Sequence, residues 1–203
     1  RLDMKKIFVV ICALSLMLSA GCTKQQNSSM SIQPSKLSQE ETDIKNLLDP
    51  ENQQQIFDYN VDEQVKSVAL RVYRLKDGKW EMEREGAAAM NDSKGRFVVG
   101  FDKMYKGANI VFKSEHLKNS SVLEASADDT SFDDLGTTTN KISGETNIEY
   151  EKDIPLAIQY FSSKPNIEAY GVEDFSHPEK YDAGHEAVYA VTICFSKKEL
   201  SSN

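Results

Sequence analysis

Cysteine is scarce in this chain, at three of 203 residues. One of the three, Cys12, sits inside an apolar N-terminal stretch, a second, Cys22, follows that stretch directly, and Cys194 stands alone near the other end. A stapled disulfide scaffold is excluded, so the body must hold itself by its core, which about 165 residues are enough to build. Long hydrophobic runs are also missing. The longest, Ile7 to Leu18, has twelve residues, too few for a bilayer core that needs about 20. Positive charge is in deficit, with 24 Lys and Arg against 32 Asp and Glu and a formal net charge of −8. Partners bound through a phosphate backbone require basic stripes, so no nucleic acid is expected. There is no Gly-rich phosphate loop, no G-x-S-x-G elbow and no H-E-x-x-H pair.

What is present begins at the N-terminus. Lys5 and Lys6 precede the apolar run, and Ser19-Ala20-Gly21 closes it with small residues, the order of a secretory signal. The small residues end on Cys22. This segment, residues 4 to 22, resembles the precursors of bacterial lipoproteins, whose lipobox places a Leu-like residue and two small residues before the cysteine that becomes residue one. Here the leucine stands one place early, at Leu18, with Ser19 in its slot. The resemblance implies cleavage at Gly21-Cys22, diacylation of the Cys22 sulfur with palmitate-type chains, and a place at the extracytoplasmic face of the cell membrane. Two chains suffice physically, because each buried methylene contributes about 0.8 kcal/mol and one chain alone is marginal. Residues 1–21, with three Lys or Arg and one Asp, leave with the signal. The remainder is more acidic still.

Residues 22–37 are polar and rich in Ser and Gln, a composition that predicts a flexible tether of roughly 20 Å r.m.s.. A single domain is expected over 38–203. It opens with a capping box, Ser38 and Glu41, ahead of Ile44, Leu47 and Leu48 at helical spacing, and Asp49-Pro50 stops the helix. The apolar stripe is expected to lie on the main domain. From Ile56 the period becomes two. Val68, Leu70 and Val72 alternate with Ala69, Arg71 and Tyr73, and Asp77-Gly78 supplies a hairpin turn before Trp80 and Met82. A second hairpin is expected from GAAAM and RFVVGF around Asn91 to Gly95. Asn109 to Phe112, Asn147 to Glu151 and Pro155 to Phe161 read as further strands, and Ser126 to Gly144 as a long loop. Ala187 to Phe195 is apolar on both faces, as a covered central strand would be. Seven to nine strands without intervening helices predict an all-β fold: an antiparallel β-sandwich, Ig-like or jelly-roll-like, with one short N-terminal helix.

The chemistry is thin. His177, His185 and Glu186 form the best acid-base or metal cluster, yet their spacing matches no zinc pattern, and a solvated turn explains them more simply. Asp128, Asp129, Asp133 and Asp134 carry oxygens suited to Ca²⁺ but lack the glycine and closing glutamate of an EF-hand, so a solvated charge run is the simpler reading. Cys194, in an apolar strand, reads as core rather than nucleophile. No cofactor is expected. Two functions follow: a non-enzymatic lipid-anchored module for an extracellular protein, peptide or glycan partner, or a small extracytoplasmic enzyme built from the His177, His185 and Glu186 loop and the Asp128 to Asp134 loop. A solute-binding lipoprotein of a transporter is disfavoured, since it would need more chain and alternating helices.

Overall fold

The computed structural model describes residues 29–115, 118–124 and 131–200. In chain order these hold β1 (Ser31–Pro34), α1 (Gln39–Leu48), β2 (Gln54–Asn60), β3 (Ser67–Lys76), β4 (Lys79–Ala89), β5 (Lys94–Gly100), β6 (Gly107–Lys113), β7 (Lys118–Glu124), β8 (Gly136–Lys141), β9 (Thr146–Asn147), β10 (Asp153–Ser162) and β11 (Ala187–Ser196). The strands form two antiparallel sheets of six and five strands, in the orders β7-β6-β5-β2-β1-β9 and β4-β3-β11-β10-β8. This is the expected all-β sandwich. Among the described residues no helix is long and apolar enough to cross a membrane. The signal segment and Cys22 lie outside the described residues.

Strand alternation fills the space between the sheets. From the five-stranded sheet come Val68, Leu70, Val72, Tyr189, Val191, Ile193 and Phe195, and from the six-stranded sheet Ile32, Phe57, Tyr59, Phe97, Val99, Ile110 and Phe112, all buried. Phe97 packs on both Phe57 (ring centroids 5.1 Å apart) and Phe112 (5.2 Å), and Tyr59 reaches across to Phe195 at 6.4 Å. One polar residue joins the sheets. The amide of Gln159, on β10, donates to the carbonyls of Phe101 and Asp102 (both 2.9 Å) and to Thr139 Oγ1 (3.0 Å), and accepts from the Met104 N–H at 2.7 Å. With both the nitrogen and the oxygen of this buried amide hydrogen-bonded, it pins the corner after β5 to the opposite sheet with little desolvation penalty.

The hairpin at Asp77-Gly78 forms as expected, with both residues at positive φ (49° and 68°), the geometry of a tight two-residue β-turn. The hairpin expected around Asn91 to Gly95 does not form. β4 pairs with β3 while β5 pairs with β2 and β6, so this segment crosses from one sheet to the other. The Met90 N–H goes to the Lys66 carbonyl and the Val61 N–H to the Ser93 carbonyl, and these bonds fix the crossing. Local turn chemistry cannot distinguish a hairpin from a sheet change, because both need the same polar bend.

Three further expectations are corrected. The stretch read as tether contains β1, whose Ile32 is fully buried between β2 and β9. The loop over Ser126 to Gly144 contains the edge strand β8, where Thr137, Thr138 and Thr139 supply β-branched residues that suit an extended edge. The third concerns α1, whose capping box is present: Glu41 N–H to Ser38 Oγ is 3.2 Å and Ser38 N–H to Glu41 Oε2 is 2.8 Å. Its apolar residues nevertheless do not rest on the domain, since Ile44, Leu47 and Leu48 are 51%, 83% and 79% exposed. The helix is held by polar contacts, Glu41 to Arg96 at 3.0 Å and Lys45 to Asn52 at 2.8 Å. Glu41 and Lys45 lie one turn apart, and their polar contacts hold the helix while its apolar side chains stay exposed.

β11 is the middle strand of its sheet and is buried on both faces from Ala187 to Phe195. Cys194 points to the face away from the six-stranded sheet, with Thr192 and Arg71, and burial pushes its thiol up. Native Cys194 should therefore alkylate slowly and react fast in denaturant, while Val191→Asp should abolish folding by placing an unpaired charge between the sheets. Rapid native labelling, followed by mass spectrometry, would show that this strand is uncovered.

Candidate functional site

A central strand apolar on both faces needs a second cover. The 163–186 segment supplies it by folding back over the outer face of the five-stranded sheet. Tyr160, directed outward from β10, donates to the Tyr170 carbonyl (2.9 Å) and accepts from the Tyr170 N–H (2.8 Å). The Tyr181 hydroxyl donates to the Gly171 carbonyl at 2.6 Å, and Trp80 Nε1 donates to the Phe175 carbonyl at 2.9 Å. The Trp80 and Phe175 rings stack at 5.2 Å with 18° between planes, and Tyr73 meets Phe175 edge-on at 5.8 Å. Aromatic packing and backbone hydrogen bonds thus fix the cover, including its short 3₁₀ turn Val172–Asp174.

Beside that turn a cavity of about 530 Å³ opens between the cover and the stretch from Ile142 to Pro155. Ile142, Ile154, Pro155, Val172 and Phe175 supply its apolar lining, and the exposed carboxylates of Glu145, Glu149 and Glu173 stand around it with Lys152. Lys152 is drawn to Glu149 at 2.9 Å. The groove exists because β9 is only two residues long and β8 pairs with β10 only from Ala157 onward, which leaves the first residues of β10 without a neighbouring strand on that side.

Asp153 lies at the base of this groove and organises it. Thr192 Oγ1 donates to its carboxylate at 2.7 Å, the Tyr73 hydroxyl at 2.8 Å and Arg71 Nη1 at 3.1 Å. Arg71 also donates through Nε to Glu85 at 2.5 Å. Burial works against the Arg71 charge, but the Glu85 hydrogen bond and the Asp153 charge outweigh it and hold the guanidinium above its ordinary range. Burial, with the hydrogen bond to Asp153, pushes the Tyr73 hydroxyl up to about 12. A carboxylate accepting from three donors is a fixed anchor. Its chemistry is positional, holding Arg71 and Tyr73 beneath an acidic groove.

The residues singled out in the sequence lie elsewhere. His177 is exposed, its Nδ1 3.5 Å from Glu179. His185 sets its ring edge-on to Tyr160 at 5.1 Å and places Nε2 3.0 Å from the Glu168 carbonyl, to which it donates. Together with Glu186 it lines a smaller cavity of about 210 Å³ near Arg74 and Tyr181. Glu186 accepts from the Ser163 N–H (3.0 Å) and the Ser163 hydroxyl, and so closes the ends of the cover onto each other. Asp133 receives Lys103 and Lys106, and these two hydrogen bonds hold its carboxyl well below the usual range. Asp134 is exposed, and Asp128 and Asp129 lie outside the described residues. Among the described residues no three His, Cys, Asp or Glu side chains converge as a metal-holding group, and none of the described candidates lines the groove.

Sequence reasoning missed Glu145, Glu149, Asp153, Glu173 and Phe175. One signal was available. Arg71, Tyr73 and Thr192 occupy the polar or mixed faces of two otherwise apolar strands, and such a face requires a buried acceptor.

No family model, curated protein or solved structure matches this chain.

The Glu186 clasp has a pH signature. The Ser163 hydrogen bonds lower its carboxyl from the ordinary 4.5 to about 2. The folded value lies below the unfolded one, so the stabilisation is complete above pH 4.5 and disappears as pH falls towards 2. Glu186→Gln should melt lower than the parent at pH 7 and converge with it by pH 2, read from melting temperature against pH. A constant offset across that range would show that Glu186 is not the titrating clasp.

Proposed function

We propose that this chain is a lipoprotein held at the extracytoplasmic membrane face through diacylated Cys22, and that its β-sandwich is a non-enzymatic binding module whose ligand seat is the Glu145, Glu149 and Glu173 groove. The anchor reading is supported by the Lys5 to Cys22 segment and by its resemblance to a lipobox. Supporting the binding reading is one observation: a preformed cavity lined by Ile142, Ile154, Pro155, Val172 and Phe175 carries a charged rim, while Asp153 at its base is already engaged by structural donors. Preformed pockets with a few polar groups are the usual form of ligand seats. Three exposed glutamates against one lysine favour a basic peptide segment over an anionic ligand. The enzyme reading draws little from His185, whose Nε2 is bonded to the Glu168 carbonyl, or from Glu186, whose carboxylate is engaged by Ser163.

Two experiments test this. Cys22→Ser should abolish incorporation of a labelled fatty acid and release the domain from the membrane fraction. Label retained in the serine variant would overturn the anchor. For the groove, the only tryptophan in the chain, Trp80, stacks on the lining residue Phe175 and so reports its occupancy. Titration with a lysine- and arginine-rich decapeptide should shift Trp80 emission in the parent, and Glu145→Lys with Glu149→Lys should weaken the response about tenfold, the equivalent of about 1.4 kcal/mol. An unchanged response in that double variant would remove the groove as the binding seat.

A further inference from the structure

The exposed leucines of α1 are not explained by the fold or by the groove. Ile44, Leu47 and Leu48 form one apolar arc at the C-terminal end of the helix, whereas Glu41 and Lys45 face Arg96 and Asn52. No helix residue is buried, so the helix packs no apolar surface against the sandwich. Its apolar side chains are exposed to solvent while Glu41 and Lys45 are engaged.

We infer that α1 is a second membrane contact, with Ile44, Leu47 and Leu48 lying in the bilayer interface beside the acyl chains on Cys22. This inference rests on the anchor proposed above. Chain length supplies the argument for a bilayer as the occupant. Ser31, the first residue of β1, is nine residues from Cys22, a reach of at most about 30 Å. β1 adds about 13 Å, and four residues then lead to α1. A domain held this close to its anchor keeps α1 within reach of the same bilayer at all times, so a weak apolar contact becomes effectively intramolecular. The first turn of the helix carries Glu40 and Glu41, followed by Asp43. Attraction to anionic lipid is thereby excluded, and the contact is one of apolar insertion into a zwitterionic surface.

The full chain, purified from a host that lipidates it and checked for acylated Cys22 by intact mass, is reconstituted in phosphatidylcholine vesicles as the parent and as Leu47→Trp. Leu47 is almost wholly exposed, so the substitution does not disturb folding. The additional emission in the variant should be blue-shifted and fall about twofold when the lipids are brominated near the top of their acyl chains, the depth of about 5–10 Å that an interfacial helix reaches. Replacing part of the phosphatidylcholine by phosphatidylglycerol should not strengthen the effect. Acylated chain on vesicles with unquenched emission overturns the docking and leaves the anchor intact. Unacylated Cys22 overturns the anchor and the docking with it. A blue shift that grows with protein concentration before lipid is added would assign the face to a second copy of the chain, and would equally overturn the inference.

Discussion

The double burial of β11 is the constraint on which the rest of the structure depends. A strand that is apolar on both faces cannot sit in a two-layer sandwich with one side open to water. The 163–186 segment answers that need, which accounts for the tyrosines that face it. Tyr160 and Tyr181 each bury a ring against the sheet and spend a hydroxyl on the backbone of the cover. The outer layer is therefore fixed by directional bonds at a few points rather than by regular secondary structure. It has edges, and the groove is one of them.

The polar interior follows the same economy. Gln159 between the sheets and Asp153 beneath the groove each satisfy several donors or acceptors at once, in places where an unpaired group would cost about 1–3 kcal/mol. They divide the labour. Gln159 joins the layers, and Asp153 sets the base of the groove by holding Arg71, Tyr73 and Thr192 on the outer face of the central strands. The charges around the groove mouth are exposed, so they shape the local field and add little to stability.

Other charged clusters in the molecule are clasps. Asp133 gathers Lys103 and Lys106 close to the corner that Gln159 pins, and Glu186 ties the ends of the outer cover. Neither arrangement leaves a carboxylate free to act on a ligand. Two surfaces among the described residues stand out against these clasps: the acidic groove on the flank of the sandwich and the exposed apolar residues of α1. In the proposed reading they serve different partners, a basic peptide at one and the bilayer at the other, with β1 placed between the anchor and the helix.

Several features were determined by the sequence alone, because their causes are local. The capping box at Ser38 and Glu41, the Asp77-Gly78 hairpin, the alternation of β3 and the doubly apolar run of β11 depend on side-chain period and on conformations that few residues tolerate. The sandwich class followed from many such strands without helices between them. Tertiary structure decided the rest. Strand β1 lacks any periodic signal because it is four residues long, and the crossing after β4 uses the same polar residues as a hairpin. The exposure of Leu47 and Leu48 follows from a helix whose contacts are polar, through Glu41 to Arg96 and Lys45 to Asn52. The groove joins Glu145 and Glu149 to Phe175, groups far apart in the chain that meet only because the outer cover returns across β10. Proximity of that kind arises from the register of strands and the path of one loop, and no local pattern encodes either.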